Sequence, residues 1–299
     1  MFNSGQAQYH VGANFVTTRA DTYPYIDPSR FNLQGKHALI TDASKGVGRA
    51  TAISYAKAGA SGIAIAARSS LEDVAKEVKE AAAAAGRPEP NILAIKLDVT
   101  DRGSVKAAVA EVSRAFEGRL DVLINNAGYL SSFGSILDMD PNDWWQDYEV
   151  NVKGVYNVTY SFFPMLIKSQ LRVLINITSI GAVSLVPGNS AYGSAKLAVM
   201  QLTEYINQDN GEGKEGVLAI AVHPGAIMTE LAAKMPAEMH HRLTETLELS
   251  GDTLLWLGAE RREWLSGRYV SASWDMEALS EKREEILRGD LLKVRLAVQ

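Results

Sequence analysis

The sequence predicts an α/β protein of three layers, with helices on both faces of one doubly wound parallel sheet. From about residue 36, short apolar runs alternate with longer helical segments, and no linker interrupts residues 36–272. The runs are apolar throughout, as expected for strands that are buried on both faces. Strands that alternate with helices imply right-handed parallel crossovers. Although 299 residues could form two small domains, this pattern favours a single large one.

Seven strands are predicted, at 37–41, 61–67, 92–97, 120–124, 172–177, 217–222 and near 268–271. Segments between them, such as 71–85 and 101–116, have helical spacing and alanine-rich, charged composition. We assign the domain to residues 35–274. Residues 1–34 are expected to form an extended arm whose aromatic side chains pack on the domain or on a neighbouring subunit. Residues 275–299 are expected to form a charged surface helix or a loosely held tail.

Composition argues against several classes of function. The net charge of −5 and the lack of a basic stripe argue against nucleic acid as a partner. The absence of cysteine excludes disulfides, thiol catalysis and Cys-ligated metals, and the histidines lack metal-ligand spacing, so no metal site is predicted. We find no secretory signal pattern and no apolar stretch of about 18 residues, so a cytoplasmic protein without a membrane partner is expected.

A glycine-bearing turn joins the first strand to the first helix. A helix N-terminus offers free N–H groups and partial positive charge, and glycines let the backbone approach a pyrophosphate closely. This turn predicts a dinucleotide site on a Rossmann-type sheet. Its candidate cofactor-binding residues are Thr41, Asp42, Ser44, Lys45, Gly46, Val47 and Gly48.

The turn resembles the TGxxxGxG loop of short-chain dehydrogenases/reductases, and three further motifs of that family follow in order. Each comes after a predicted strand, where open α/β sheets bind ligands. They resemble the adenine-contacting pair after the third strand, the NNAG motif after the fourth, and the PGxxxT segment at the nicotinamide end. The resemblance adds Asp98, Val99, Asn125, Ala127, Gly128, Pro224, Gly225, Ile227 and Thr229 to the cofactor-binding residues.

Asp42 departs from the family pattern, because it stands where the loop has its first glycine. A tight turn can require positive φ there, which Asp tolerates better than most residues but less well than glycine. Two interpretations stay open. The carboxylate costs affinity for an anionic cofactor, or it accepts hydrogen bonds from the adenosine ribose while Lys45 offsets its charge.

Arg68 follows the second strand, where NAD-preferring Rossmann proteins place an acidic residue for the ribose 2′-hydroxyl. An arginine suits a 2′-phosphate instead. Lys45 adds a second cation in the phosphate loop. The pair resembles NADP-preferring family members and predicts NADP(H), the alternative being that both are ordinary surface charges.

Tyr192 and Lys196 lie four residues apart, so on a helix they share a face. A free tyrosine, with a pKa near 10, is a poor acid–base catalyst, and a nearby ammonium lowers that pKa. Of eleven tyrosines, this one alone has Lys at i+4, and it follows Ser179 by thirteen residues, as in the family. Ser179 ends a predicted strand and can donate to a substrate carbonyl.

The resemblance implies roles for four catalytic residues. Tyr192 protonates the carbonyl oxygen as NADPH delivers hydride, and it acts as the base in the reverse direction. Lys196 lowers the Tyr192 pKa and binds the nicotinamide ribose. Ser179 orients the carbonyl, and Asn151 matches the family's helical asparagine, which holds a water in the proton relay.

A mainly hydrophobic small-molecule substrate is expected, since Met228, Leu231, Met235 and Met239 recur at helical spacing in the segment of the substrate-covering loop. Both ends of the chain resemble fungal members, some of which act in secondary metabolism. The resemblance also implies a homodimer or homotetramer, which the apolar run 155–167 would suit. The rival hypothesis is a non-redox cyclase or isomerase, or a dinucleotide-sensing scaffold, on the same fold.

Overall fold

Seven parallel strands form one sheet in the computed structural model, which describes residues 15–210 and 216–296. The strand order is β3-β2-β1-β4-β5-β6-β7. The predicted fold class, a doubly wound parallel sheet, is therefore confirmed. The strands are β1 (His37–Thr41), β2 (Gly62–Ala67), β3 (Asn91–Lys96), β4 (Val122–Asn125), β5 (Val173–Ile177), β6 (Leu218–His223) and β7 (Tyr269–Ser271).

Helices cover both faces because most strands are buried on both sides, as their continuous apolar composition requires. One core contains apolar residues of α1, α2 and α7, and the other contains those of α3 and α5. The helices are α1 (Gly46–Lys57), α2 (Glu72–Ala84), α3 (Arg102–Ala115), α4 (Pro141–Tyr148), α5 (Val155–Leu166), α6 (Ser190–Asn210), α7 (Leu247–Ala259), α8 (Met276–Glu281) and α9 (Arg283–Arg288).

Both ends of the described chain pack on the domain. In the N-terminal segment, Ile26 is fully buried, and the Tyr23 hydroxyl accepts a hydrogen bond of 2.6 Å from the Met276 N–H. The predicted arm also includes residues 1–14, which lie outside the described part. At the other end, Leu279 and Ile286 of α8 and α9 are fully buried. No helix of the described residues is long and apolar enough to cross a bilayer.

The strand order reverses beside β1, because β2 pairs on one side of it and β4 on the other. At such a switch point, the connections leave the sheet in opposite directions and open a crevice at the carboxyl ends of the strands. The loops after β1, β4, β5 and β6 meet at this edge. They carry Asp42, Asn126, Ser179 and Pro224, respectively.

Candidate active site

The phosphate loop achieves its tight turn with two residues in the left-handed region. Asp42 has φ 52° and Gly46 has φ 56°. Asp42 thus adopts the conformation for which the family motif uses glycine, as its tolerance of positive φ permits. The Asp42 carboxyl is largely removed from water, and this desolvation raises its pKa, while Lys45 and Arg68 act in the opposite direction.

Gly48 is held in a space that admits no side chain. A Cβ there would stand 2.6 Å from the Asp42 carbonyl oxygen and 2.7 Å from the Asn126 amide nitrogen. This close approach of α1 to the loop keeps the first turn of the helix, with its unpaired N–H groups, at the sheet edge. This geometry leaves the backbone N–H groups open to an anion, and the binding of a pyrophosphate by the loop stays a prediction.

The NNAG segment is tied to the phosphate loop through Thr41 and Asn126. The Thr41 hydroxyl accepts the N–H groups of Asn126 and Ala127, both at 2.9 Å. The Asn126 amide donates to the carbonyls of Thr41 and Asp42 at 2.9 and 3.2 Å. Asn125 points into the sheet core instead, donating 2.8 Å hydrogen bonds to Thr159 and Asn176. These residues fix the two loops relative to each other.

Two exposed cations, Lys45 and Arg68, follow β1 and β2 at this edge of the sheet. Arg68 makes no salt bridge to the described residues, but its charge acts on the carboxylates of Asp42 and Asp98. Lys45 forms an ion pair with Glu230 of the segment after β6. The Ser44 hydroxyl accepts a hydrogen bond of 2.9 Å from Ser69. Arg68 could therefore bind a phosphate without first losing an ion pair, whereas Lys45 would have to separate from Glu230.

Ser179, Tyr192 and Lys196 come together at the edge of the sheet. The Ser179 hydroxyl accepts the Gly181 N–H at 3.0 Å, which fixes the turn after β5. The Ser179 side chain lies close to the Tyr192 phenol and lowers its pKa, which favours the phenolate. The Lys196 Nζ lies 5.6 Å from the centre of the Tyr192 ring and donates to the Ile177 carbonyl at 2.9 Å. The three predicted side chains are therefore neighbours.

Removal from water is the largest influence on the pKa values of Tyr192 and Lys196. Desolvation raises the pKa of Tyr192 to about 12, against the effect of Ser179. It lowers the pKa of Lys196 to about 8, against the carboxylate of Asp147. The Lys196 charge is not among the causes that shift the Tyr192 pKa. The expected lowering by Lys196 thus stays a prediction.

Asn151 lies in a π-helical turn, Glu149–Gly154, between α4 and α5. Its amide donates to the Tyr129 carbonyl at 2.8 Å and to Asp147 Oδ1 at 3.1 Å. Its Oδ1 accepts the Tyr129 N–H at 3.1 Å. Such π-turns are frequent at functional sites. Both amide hydrogens are used within the protein, so a water would be held by remaining oxygen lone pairs of Asn151.

A cleft of about 280 Å³ links the phosphate loop to the catalytic helix. Nine predicted residues line it, namely Asp42, Lys45, Gly46, Val47, Gly128, Tyr192, Lys196, Pro224 and Thr229. The other predicted cofactor residues do not line this cleft: Thr41, Ser44, Gly48, Arg68, Asp98, Val99, Asn125, Ala127, Gly225 and Ile227. Four residues of its wall are absent from the predicted set, namely Asn126, Ile177, Glu230 and Leu247, although Glu230 directly follows Thr229.

The segment after Pro224 contributes residues 228–231 to the wall of the cleft and then forms two short 3-10 helices, Ala232–Lys234 and Ala237–Arg242. Met228 and Leu231 line the cleft. The residue before a proline avoids helical backbone, and Met235 accordingly has ψ 154° before Pro236. The proline therefore divides the stripe of methionine and leucine side chains that the sequence places at helical spacing.

Among the described residues, no group of three His, Asp or Glu side chains could hold a metal ion. His223 is buried at the end of β6, and burial lowers its pKa to about 4, so it is neutral at pH 7. A neutral, buried histidine fits a structural role at the end of this strand.

Comparison with known proteins agrees with the motifs and the geometry. The family model described as short chain dehydrogenase matches residues 36–240. The chain belongs to this family. The short chain dehydrogenase mpl6 of Monascus purpureus is 45% identical over 281 residues, which are 94% of this chain and 95% of that protein.

Two solved structures of the family show the same fold. A 7α-hydroxysteroid dehydrogenase, solved with NADH and 7-oxo glycochenodeoxycholic acid, has 25% identity and a TM-score of 0.70, covering 84% of this chain and 97% of that one. An alcohol dehydrogenase from Thermococcus sibiricus, solved with 5-hydroxy-NADP, has 25% identity and a TM-score of 0.65, covering 79% and 95%. The short-chain dehydrogenase fold binds a nicotinamide dinucleotide, and its members are oxidoreductases of alcohols and carbonyls.

The described residues fit such a cofactor. Because Gly48 has no Cβ, the first turn of α1 packs closely against the loop, and its free N–H groups could bind a pyrophosphate. The buried Lys196 ammonium gives one of its three hydrogens to Ile177, leaving two for ribose hydroxyls or water. Both ends of the cleft thus present donors to a ligand rich in acceptors.

Proposed function

We propose that this protein uses NADPH to reduce the carbonyl of a ketone or aldehyde in a mainly hydrophobic small molecule, or catalyses the reverse oxidation. The observation that carries the proposal is the meeting of Ser179, Tyr192 and Lys196 beside the cleft at the carboxyl edge of the sheet. A nicotinamide bound there would supply the hydride. The chain itself supplies proton transfer and the groups that orient the substrate oxygen.

Each catalytic side chain has a separate task. The Ser179 hydroxyl, which lies close to the Tyr192 phenol, turns toward the carbonyl oxygen of the substrate and stabilises the charge that develops there. The Tyr192 phenol gives its proton to that oxygen. The Ile177 carbonyl holds Lys196, and Asn151 fixes the Tyr129 backbone at the mouth of the site. This arrangement is that of a general acid with an oriented hydrogen-bond donor.

Apolar side chains around the site support a hydrophobic substrate. Ile180, Val183 and Leu185 follow Ser179 and are exposed, Leu185 completely. Met228 and Leu231 approach from the segment after Pro224. Exposed apolar side chains beside a cleft are typical of ligand-binding surfaces. A role in secondary metabolism is part of the proposal and rests on the resemblance to fungal members.

The preference for NADPH is proposed from Arg68, which is exposed and makes no salt bridge within the described chain. Asp42 is the departure from the family motif that keeps the rival hypothesis, a non-redox enzyme or a dinucleotide sensor, open. The backbone accommodates Asp42 at φ 52° and keeps the tight turn, which supports a loop able to hold the cofactor. We also propose a homo-oligomer, because Tyr156 and Tyr160 on α5 and Ile167 at its C-cap leave apolar surface exposed.

An Arg68→Ala substitution is expected to raise the Kd for NADPH about tenfold or more and to leave the Kd for NADH unchanged. A hydrogen bond to a charged group contributes about 1.5–3 kcal/mol, and 1.4 kcal/mol corresponds to a factor of ten. Isothermal titration calorimetry with both cofactors measures the effect. Arg102→Ala, an exposed arginine at the start of α3, is the matched control. An equal loss for NADH, or no loss for NADPH, would contradict this role.

A further inference from the structure

Asp147 is a fully buried carboxylate beside the catalytic helix, and the sequence motifs do not predict a role for it. It lies in the last turn of α4, four residues before Asn151. Asp side chains are rarely buried without partners that offset the cost of removing the charge from water. A carboxylate at this depth therefore needs a structural or chemical reason.

Two hydrogen bonds hold the Asp147 carboxylate. Its Oδ1 accepts from the Asn151 amide at 3.1 Å, and its Oδ2 accepts from the Ser131 N–H at 3.1 Å. Asn151 in turn holds both the N–H and the carbonyl of Tyr129. Asp147 thus fixes the orientation of the Asn151 amide and the loop after β4 together.

The same carboxylate acts on the charges of the proposed relay. Lys196 is 2% exposed, and Asp147 is the acidic group that offsets its desolvation. The two groups form no direct ion pair, so the interaction acts through the intervening low-dielectric interior. Asp147 also disfavours the Tyr192 phenolate. One buried negative charge therefore influences both members of the Tyr192–Lys196 pair.

The ionisable groups around Asp147 come from three elements. Asp143, on the same helix, disfavours ionisation of Asp147, and Lys196, on α6, favours it. Tyr129, after β4, and Tyr192, on α6, both experience the charge of Asp147. Lys196 is the single cation in this set. The charge balance around Asp147 consequently depends on Lys196.

We propose that Asp147 is the buried counter-charge of the Lys196 ammonium and the anchor of Asn151, and is thus a positioning residue of the relay. Removing the carboxylate leaves Lys196 buried without an acidic partner, which shifts its protonation equilibrium toward the neutral amine. Asp147 touches neither cofactor nor substrate and acts through Asn151 and Lys196. Its catalytic consequence rests on the proposed function, whereas the charge coupling is a property of the folded chain.

The test is a pH titration of Lys196 by NMR on the full chain, labelled with carbon-13 at the lysine ε position. The Lys196 signal is assigned by its absence in Lys196→Met. In the unsubstituted protein its midpoint is expected near pH 8. In Asp147→Asn, the midpoint is expected to fall by about one pH unit or more, since an opposite charge nearby shifts a pKa by about 1–3 units. No substrate or cofactor is needed for this measurement.

Glu149→Gln is the matched control, because it removes a surface carboxylate two residues away, paired with Lys153. Its Lys196 midpoint is expected to equal that of the unsubstituted protein. An unchanged midpoint in folded Asp147→Asn would overturn the proposal, whatever the redox activity of the protein. If Asp147→Asn does not fold, the titration of the unsubstituted protein still tests the proposal. Its Lys196 signal is expected to show a second inflection at acidic pH as Asp147 gains a proton, and a signal without that inflection would contradict the coupling.

Discussion

Replacing Tyr192 with phenylalanine is expected to lower kcat for carbonyl reduction by about 10²- to 10⁴-fold, the usual contribution of a general acid. The Tyr192 phenol is the proposed proton donor, and the phenylalanine ring still fills its space. Binding of NADPH is expected to change by less than about tenfold, equivalent to one neutral hydrogen bond. The measurement is steady-state NADPH oxidation together with calorimetric cofactor binding.

Tyr205→Phe is the control for this substitution, since Tyr205 lies on the same helix and is exposed. It removes the same hydroxyl far from the cleft, so kcat is expected to stay unchanged. A Tyr192→Phe variant that retained full redox activity would show that another group delivers the proton. Equal losses in both variants would indicate damage to α6 rather than to the chemistry.

Adding a methyl group at Gly193 is expected to lower kcat about 10²-fold with little loss of cofactor affinity. The Cβ of Gly193→Ala would stand 2.8 Å from the Gly181 carbonyl oxygen, in the turn that carries Ser179. The contact is with backbone, so the turn and α6 must separate by several tenths of an ångström. Misplacement of reacting groups by about 1 Å can cost 10²-fold in rate.

Ser194→Ala is the neighbouring control, because the Ser194 hydroxyl bonds within α6, to the Ser190 and Ala191 carbonyls. Its kcat is expected to equal that of the unsubstituted protein. The comparison is made by steady-state kinetics at saturating NADPH, with thermal unfolding to confirm that both variants fold. Full activity in Gly193→Ala would mean that the Ser179–Tyr192 contact is not needed.

The fold could be predicted from local sequence because buried parallel strands are apolar on both faces. The run 37–41 matches β1, and the observed β2 and β5 each begin one residue later than predicted. Segments with weaker hydrophobic patterns were harder to predict. Met276, Leu279 and Ile286 are fully buried in a region whose charge favours a surface position. That burial depends on β7 and the N-terminal segment, which local composition does not reveal.

The grouping of Ser179, Tyr192 and Lys196 could be predicted because their spacing and the position of Ser179 after a strand are both visible in the sequence. The pKa shifts of these groups could not be predicted. Spacing places Lys196 beside Tyr192, but the burial that raises one pKa and lowers the other arises only after folding. Asp147 had one local signal, its position four residues before Asn151 on a helix. Its link to Lys196 crosses from α4 to α6 and requires the tertiary structure.

The most direct test of the reductase function is loss of nicotinamide absorbance when the purified protein is mixed with NADPH and a panel of hydrophobic ketones and aldehydes. We predict that NADPH binds and that at least one apolar carbonyl is reduced in an enzyme-dependent reaction. Tight NADPH binding without turnover across a broad panel would contradict the reductase and favour the non-redox alternative. Absence of NADPH binding would contradict the cofactor assignment itself.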